Sequence, residues 1–248
     1  MKKLFCLFAI IVALFPILLC SCEKDETTDG TGKSVDLSRD LVLLMNFDNI
    51  SCDDVSGKGN HGVPIGDVQF VTDTPTGAGR AVSIDGTDRQ FINIPYDLVG
   101  DSVNYSVSLW IKDFGTGPVF SCIKGNNAYA PTLLVRSDIT PLFYYNSYYS
   151  TDLSMSLESY QATGWHMMTI TASGVREEID LYLDGQRIDS KYVGRCKSGG
   201  TKMQIGGNAD NSFDAWADPM IVDNFRVYRR CLSSKEVLEL YKKEKGNV

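Results

Sequence analysis

The sequence predicts an all-β domain, a sandwich of two antiparallel sheets that ends in one short helix. From Asp40 onward, short segments alternate apolar and polar residues, the pattern of strands with one buried face. Gly, Asn and Pro separate these segments, as expected for turns between the strands of a sandwich or barrel. Strand-like and helix-like segments do not alternate, which excludes doubly wound and TIM-barrel folds.

The length fits one large or two small globular domains, and the composition excludes some classes of function. The chain has 248 residues, of which 43% are hydrophobic, enough to bury a core. Its formal net charge of −7 argues against nucleic-acid binding, which requires a basic face. Two histidines, His61 and His166, leave little scope for a histidine-based catalytic or metal site.

The first 21 residues form a predicted signal peptide. Lys2 and Lys3 precede an apolar run from Leu4 to Leu19, which is short for a membrane span. The segment Leu19–Cys22 then resembles the bacterial lipobox, in which a small residue precedes an acylated cysteine. This resemblance implies that Cys22 becomes the first mature residue and carries a lipid such as palmitate. Cys20 is the weaker choice, because Leu19 would occupy the small-residue position, and an uncleaved anchor is the other alternative.

A polar segment follows the cysteine. Residues 23–33 contain no large apolar side chain, so we predict a flexible acidic tether over residues 22–38 and a folded domain over 39–248. The run Glu23–Glu26 resembles the export signal of Gram-negative surface lipoproteins. The predicted location is therefore the outer membrane, with the domain exposed at the cell surface.

Alternation of apolar and polar residues places the strands. In Val103–Lys112, for example, Tyr105 and Leu109 share one face and Trp110 lies on the other, where it lines an open sheet or fills a second core layer. The predicted strands are Leu41–Phe47, Val68–Val71, Ala81–Ile84, Phe91–Ile94, Val103–Lys112, Val119–Ile123, Leu133–Val135, Leu142–Tyr145, His166–Thr171, Glu178–Leu183, Lys202–Ile205 and Ile221–Tyr228.

Two local signals are specific. Asp184-Gly185 between strand patterns predicts a hairpin turn, because both residues tolerate positive φ. Ser233 and Glu236 form a capping box that predicts a C-terminal helix, with Val237, Leu240 and Tyr241 on its buried face.

Four cysteines remain after the predicted lipidation site. They have no CxxC spacing, which argues against a zinc site. In an oxidising compartment they form two, one or no disulfides, and buried free thiols are the alternative to any pairing. These cysteines are Cys52, Cys122, Cys196 and Cys231.

A series of motifs in order resembles a laminin-G-like, concanavalin A-like jelly roll over about residues 40–242. The resemblance implies two antiparallel sheets in which the first and last strands pair. It does not decide the activity, because such folds host both binding modules and enzymes. The motifs are Phe47-Asp48, Asp54–Gly62, Ala81–Gly86, Tyr105–Lys112, Trp165–Ile170, Leu181–Gln186, Ile205–Asn208, Ile221–Tyr228 and Leu232–Val237.

The same resemblance implies a structural calcium site. Pairing of the first and last strands would bring Asp48 and Asp223 together, beside Asp54 and the glycine-rich loop that follows it. Carboxylates and backbone carbonyls are the oxygen ligands that Ca²⁺ prefers. The alternative is that Asp54 makes an Asx turn with Ser56 and that Asp223 only accepts a hydrogen bond.

Aromatic residues in polar surroundings are the candidate ligand-binding residues. Five aromatics lie within Phe143–Tyr149, and two more lie in the polar loop Asn208–Pro219. Flat aromatic faces beside amides and carboxylates suit sugar rings, whereas ordinary packing under a loop is the alternative. The predicted binding residues are Tyr144, Tyr148, Tyr149, Phe213 and Trp216.

A catalytic site is not predicted. Some glycosidases of this fold carry Glu-x-Asp-x-x-Glu on one strand, but here Leu183 follows Glu178 and Asp180 at the last position. We therefore predict that these two carboxylates are solvated or contact a ligand. The predicted function is non-catalytic capture of a glycan or polysaccharide by a membrane-anchored lipoprotein beside surface uptake proteins. The alternatives are an adhesion or assembly module that binds a protein, and a glycoside hydrolase.

Overall fold

The fold is known from a computed structural model in which part of the chain is described. For residue 123 and the strands at 131–135, 141–145 and 151–154, the description covers the backbone. The described residues are 35–86, 89–96, 98–99, 104–113, 117–123, 131–135, 141–145, 151–154, 164–192, 202–207 and 219–245.

Fifteen strands and one helix lie within the described residues. The elements are β1 Leu41–Met45, β2 Val63–Ile65, β3 Gln69–Val71, β4 Ala81–Ile84, β5 Phe91–Ile94, β6 Tyr105–Lys112, β7 Gly117–Ile123, β8 Pro131–Val135, β9 Pro141–Tyr145, β10 Thr151–Ser154, β11 His166–Ser173, β12 Glu178–Leu183, β13 Gln186–Tyr192, β14 Lys202–Ile205, β15 Met220–Tyr228 and α1 Ser234–Lys245. The all-β prediction is confirmed; β2 and β10 were not predicted from the sequence, and β13 was implied only by the hairpin turn at Asp184-Gly185.

The strands form two antiparallel sheets, as predicted. The eight-stranded sheet has the order β13-β12-β11-β6-β15-β4-β3, with β1 also paired to β15. The seven-stranded sheet has the order β10-β9-β8-β7-β14-β5-β2. The first strand pairs with the last through Met45 and Phe225, which confirms the neighbouring chain ends implied by the resemblance.

The main core lies between the sheets, and strand alternation determines which side chains fill it. Val107 and Leu109 of β6 meet Ile92 of β5 and Phe120 of β7 in one buried cluster. The Phe120 and Phe225 rings pack edge to face with their centroids 5.9 Å apart.

A second buried cluster lies on the outer face of the eight-stranded sheet, under α1. Trp110 and Tyr182 of the sheet meet Val237 and Leu240 of the helix, with Tyr241 packed against them. Trp110 therefore fills a second core layer, one of the two positions that the sequence left open.

Local sequence signals determine the start of α1 and the turn between β12 and β13. Ser233 N–H donates to Glu236 Oε2 at 2.8 Å and Glu236 N–H donates to Ser233 Oγ at 3.3 Å, which confirms the capping box. Asp184 and Gly185 have φ of 50° and 79° and join β12 to β13, which confirms the hairpin.

The described cysteines are unbridged. Cys52 and Cys122 are buried in the main core, and Cys231 is half-buried. Cys196 lies outside the described residues. Within the part of the chain that is described, no helix is long and apolar enough to cross a membrane. The compact unit begins at Val35, and Leu37 packs against the helix cluster.

Candidate functional site

A single row of residues crosses the outer face of the seven-stranded sheet. Each strand contributes one residue, and each residue is the register partner of the next. Most positions hold uncharged residue types that form hydrogen bonds. We call this set the polar row: Val63, Asn93, Gln204, Ser121, Thr132, Tyr144 and Asp152.

Alternation places the polar row on the side away from the core. In β14, Met203 and Ile205 point into the main core on either side of Gln204. In β5, Ile92 and Ile94 do the same on either side of Asn93. Since neighbouring residues of a strand point to opposite faces, Asn93 and Gln204 lie together on the outer face.

Two amide oxygens in this row are buried and have no hydrogen-bond partner within the described structure. They are Asn93 Oδ1 and Gln204 Oε1. A buried acceptor without a donor costs about 1–3 kcal/mol, so such atoms are uncommon in folded proteins. A donor supplied by a ligand would remove that cost at both positions.

Gly207, two residues after β14, lies against the polar row. Ser121 Oγ donates to Gly207 O at 2.6 Å. A Cβ at Gly207 would lie 2.7 Å from Gln204 Oε1 and 3.1 Å from Phe91 Cβ, so a side chain there would displace the amide. Phe91 lies two residues from Asn93 on the same outer face and is half-buried. An aromatic ring thus lies next to the unpartnered amides.

The predicted aromatic residues relate to this face only in part. Tyr144 occupies a position in the polar row by strand register, although the description covers only its backbone. Tyr148, Tyr149, Phe213 and Trp216 lie outside the described residues. In the sequence, Phe213 and Trp216 come six and nine residues after Gly207, where an added Cβ would lie 2.7 Å from Gln204 Oε1.

Sequence reasoning did not single out Asn93, Gln204 or Ser121. All three lie in predicted strands, in which alternation is compatible with their pointing away from the apolar residues. The missing information was which strands pair, because Asn93 and Gln204 become neighbours only in the folded sheet.

Two of the three predicted calcium ligands lie together. β1 ends and β4 begins on the same side of β15, and Asp48 lies between them with Oδ1 accepting from Arg80 N at 2.9 Å. Asp223 of β15 is 5% exposed. Burial raises the pKa of Asp223 to about 7, and the negative charge of Asp48 contributes to the rise.

Asp54 does not join this pair through its carboxylate. Its oxygens accept backbone N–H groups from Leu44 at 3.0 Å, Ser56 at 2.9 Å and Asn60 at 2.9 Å. These bonds organise the glycine-rich loop and include the Asx turn with Ser56. Among the described residues, no group of three or more Asp, Glu, His or Cys side chains is arranged to hold a metal.

The carboxylates of β12 differ from their predicted environment. Asp180 was expected to be solvated or to contact a ligand, but its side chain is 1% exposed and forms an ion pair with Arg176. Glu178 accepts from the same guanidinium at 3.1 Å. The turn before β12 folds Arg176 onto this face, which the strand pattern alone did not reveal. Both carboxylates lie on the eight-stranded sheet, away from the polar row.

His166 lies beside the hairpin turn between β12 and β13. Its Nδ1 lies 2.8 Å from Asp184 Oδ2. Asp184 Oδ1 also accepts from Met167 N at 2.9 Å. His166 therefore helps to fix the hairpin turn.

Comparisons with known proteins agree with this architecture. Domain 4 of AbnA, a GH43 extracellular arabinanase from Geobacillus stearothermophilus in complex with arabinotriose, superposes with a TM-score of 0.69 at 20% identity, covering 82% of this chain and 98% of that chain. A botulinum neurotoxin type C chain, whose cell entry depends on interaction with two ganglioside molecules, gives a TM-score of 0.63 at 17% identity and covers 82% and 50%. At these identities the likeness shows the fold alone.

Sequence comparison supports the same assignment. Botulinum neurotoxin type X from Clostridium botulinum is 24% identical over 213 residues, 81% of this chain and 16% of the toxin. The chain thus spans about a sixth of that curated relative. Residues 85–238 match the profile of the concanavalin A-like lectin/glucanases superfamily, more than half of the chain. This protein therefore belongs to the laminin-G-like family of that superfamily.

Proposed function

We propose that the domain binds a glycan on the outer face of the seven-stranded sheet and holds it without cleaving it. The observation that carries this proposal is the pair of buried, unpartnered amide oxygens of Asn93 and Gln204. Sugar hydroxyls are donors that would satisfy both acceptors, and the Phe91 ring offers an apolar surface for a sugar face. Two proteins of similar fold interact with glycans, arabinotriose in one case and gangliosides in the other.

The first test is binding of the mature domain to a polysaccharide and glycolipid array, followed by substitution of the amides. Asn93→Ala and Gln204→Ala are each expected to weaken binding about tenfold, the effect of losing one good hydrogen bond. The melting temperature should stay unchanged or rise, because each variant removes a buried acceptor that has no partner.

The matched control is Gln186→Ala, an exposed amide of β13 in the other sheet. It should leave glycan binding unchanged. The proposal is refuted if the domain retains no glycan at millimolar concentration, or if both amide variants bind glycan with wild-type affinity. In the first case a protein partner becomes the better explanation for the domain.

We also propose that Asp48 and Asp223 hold a structural calcium ion. Asp223 is buried, and the negative charge of Asp48 acts on it, so a divalent cation bound by both carboxylates would neutralise the pair. The ion would join the end of β1 to β15 and would take no part in chemistry.

Thermal melting with calcium and with chelator tests the calcium proposal. Calcium at about 100 times its Kd should stabilise the wild type by about 2.7 kcal/mol. Asp223→Asn should lose this response, and in chelator it should melt above the wild type because a buried charge has been removed. Asp54→Asn is the control: it should lower the melting temperature and keep the calcium response. A wild type indifferent to saturating calcium would end the proposal.

The location is a separate proposal. We propose that Cys22 is acylated and that the domain is displayed outside the outer membrane, on the support of the signal-peptide, lipobox-like and acidic motifs. Labelled palmitate should enter the wild type and Cys20→Ala but not Cys22→Ala. Protease added to intact cells should digest the domain. Label retained in Cys22→Ala would contradict this assignment.

A further inference from the structure

The charges of the folded domain are divided unevenly between the segment that carries α1 and the rest. Residues 35–228 contain 14 basic and 24 acidic side chains, whereas residues 229–245 contain six basic and three acidic ones. The last segment is therefore positive in a domain that is negative as a whole. Such an asymmetry is typical of a surface that binds an anionic partner.

The positive side chains lie on the solvent side of α1. Four exposed lysines share the face of the helix that lies opposite its buried residues Val237 and Leu240. We call this set the lysine face: Lys235, Lys242, Lys243 and Lys245.

The acidic residues of α1 compensate little of this charge. Glu236 and Glu244 are largely shielded from solvent, and each pairs with an arginine of the domain. Glu239 shares the lysine face and pairs with Lys242 at 3.1 Å. Four lysines and one glutamate leave three positive charges uncompensated on this face of the helix.

The helix dipole does not account for the whole lysine face. Cations stabilise the last turn of a helix, where Lys242, Lys243 and Lys245 lie. Lys235 lies in the first turn, where the same dipole disfavours a cation. The positive charge therefore extends along all 12 residues of the helix, a length of about 18 Å.

The chain enters the folded domain beside the lysine face. Val35 and Asp36 line the same cleft as Lys243, so the first described residues lie near the last turn of α1. The predicted acylation site, Cys22, comes 13 residues before Val35. A chain of this length spans at most roughly 45 Å, so a lipid on Cys22 would keep α1 within reach of the bilayer.

We infer that the lysine face binds the anionic headgroups of the membrane that holds the lipid anchor, so that the polar row faces away from the bilayer. This inference rests on the proposed acylation of Cys22 and adds an interaction surface to it. The helix covers the outer face of the eight-stranded sheet, whereas the polar row lies on the outer face of the seven-stranded sheet. Contact through one face therefore directs the other face outward, where a glycan has access.

The expected attraction is weak for a free protein and sufficient for an anchored one. Each lysine close to an anionic bilayer favours association about fivefold, so three uncompensated charges give roughly a hundredfold. A short tether supplies an effective concentration of millimolar order, so no tight lipid-binding pocket is needed. Salt should weaken the contact, because exposed charges are screened.

Amine labelling of the purified lipoprotein in vesicles tests the inference. The vesicles contain phosphatidylcholine alone or phosphatidylcholine with phosphatidylglycerol, and a lysine-reactive acetylating reagent is followed by mass spectrometry. Labelling of Lys235, Lys243 and Lys245 should slow at least about fivefold in the anionic vesicles and recover at high salt. Labelling of Lys202, on the outer face of the seven-stranded sheet, should be equal in both kinds of vesicle.

Two charge-matched variants supply the control. Lys243→Gln/Lys245→Gln and Lys58→Gln/Arg89→Gln each remove two exposed positive charges, the first pair from α1 and the second from loops. Lys235 reports on the contact in both variants. Its protection by anionic lipid should be lost in the helix variant and kept in the loop variant.

The inference is overturned if anionic lipid protects Lys202 in place of Lys235, or if Lys235 is labelled at the same rate in both kinds of vesicle. Equal loss of protection in the helix and loop variants also overturns it, because the contact then follows total charge. A protein that does not stay with vesicles lacks the anchor, which overturns the inference as well. Glycan binding on the array is measured without a bilayer, so the proposed function stands or fails separately.

Discussion

Trp110→Ala is expected to lower the free energy of unfolding by about 3–5 kcal/mol, the usual loss for a buried tryptophan. Trp110 is 2% exposed, and its ring stacks on Tyr241 with the centroids 5.6 Å apart. Its Nε1–H also donates to Glu244 Oε2 at 2.8 Å. Glu244 is buried, which raises the pKa of its carboxyl, and its other oxygen pairs with Arg226. Loss of the indole donor therefore leaves Glu244 Oε2 buried without a hydrogen-bond partner. Urea denaturation followed by far-UV circular dichroism measures the loss.

A second variant separates packing from hydrogen bonding. Trp110→Phe keeps most of the ring contact with Tyr241 and removes the donor to Glu244, so we expect a loss of about 1–3 kcal/mol. If Trp110→Ala unfolds within 1 kcal/mol of the wild type, α1 is not held by this cluster. Glycan affinity, measured well below the melting temperature, should be unchanged in both variants, because the polar row lies on the other sheet.

The sequence predicted those parts of the fold that a local pattern is sufficient to determine. Alternation identified the buried face of β6, and the Ser233–Glu236 capping box placed the start of α1 within one turn. Alternation does not show how many layers cover a sheet. Trp110 on the polar side of β6 was therefore compatible with an open sheet or with a second core layer, and only the helix decides between them.

The candidate site was harder to predict because it depends on pairing between distant strands. Tyr144 was predicted as a binding residue from the local density of aromatics, and register places its strand position in the same row as Gln204. Asn93 and Gln204 carry no local signal beyond their outward orientation. Their unpartnered oxygens emerge only when β5 and β14 become neighbours.

The environments of two buried carboxylates could not be predicted from the sequence for the same reason. Asp180 and Asp223 are strand residues whose sequence neighbours are ordinary, yet both are nearly inaccessible to solvent. Asp180 is neutralised by Arg176, which the preceding turn brings onto its face. Asp223 lies beside Asp48, a like charge from the other end of the chain. In both cases the environment of the carboxylate depends on which residue the fold places beside it.

Arg230→Ala is expected to lower the free energy of unfolding by about 3–5 kcal/mol, because it removes the nearer ion-pair partner of a partly buried carboxylate and the donor to two backbone carbonyls. Arg230 is 7% exposed and joins three parts of the chain. Its Nε donates to Arg39 O at 2.9 Å, Nη1 to Glu236 Oε1 at 2.6 Å and Nη2 to Asp36 O at 3.2 Å. A lysine has its three donors on a single nitrogen, so it cannot reach the three separate acceptors that the guanidinium reaches. Arg230→Lys should therefore recover little of the stability.

Arg39→Ala is the matched control, since the Arg39 guanidinium approaches the same Glu236 oxygen at 3.8 Å but is 63% exposed. An exposed pair of this kind contributes less than about 1 kcal/mol, so the control should unfold close to the wild type. Trypsin supplies an independent measurement: cleavage after Arg39 should accelerate in Arg230→Ala, because the Arg39 carbonyl loses its donor. If cleavage accelerates while the free energy of unfolding is unchanged, Arg230 orders only the segment around Asp36 and Arg39 and does not stabilise the whole domain. If neither changes, the three contacts contribute nothing to holding the chain ends together.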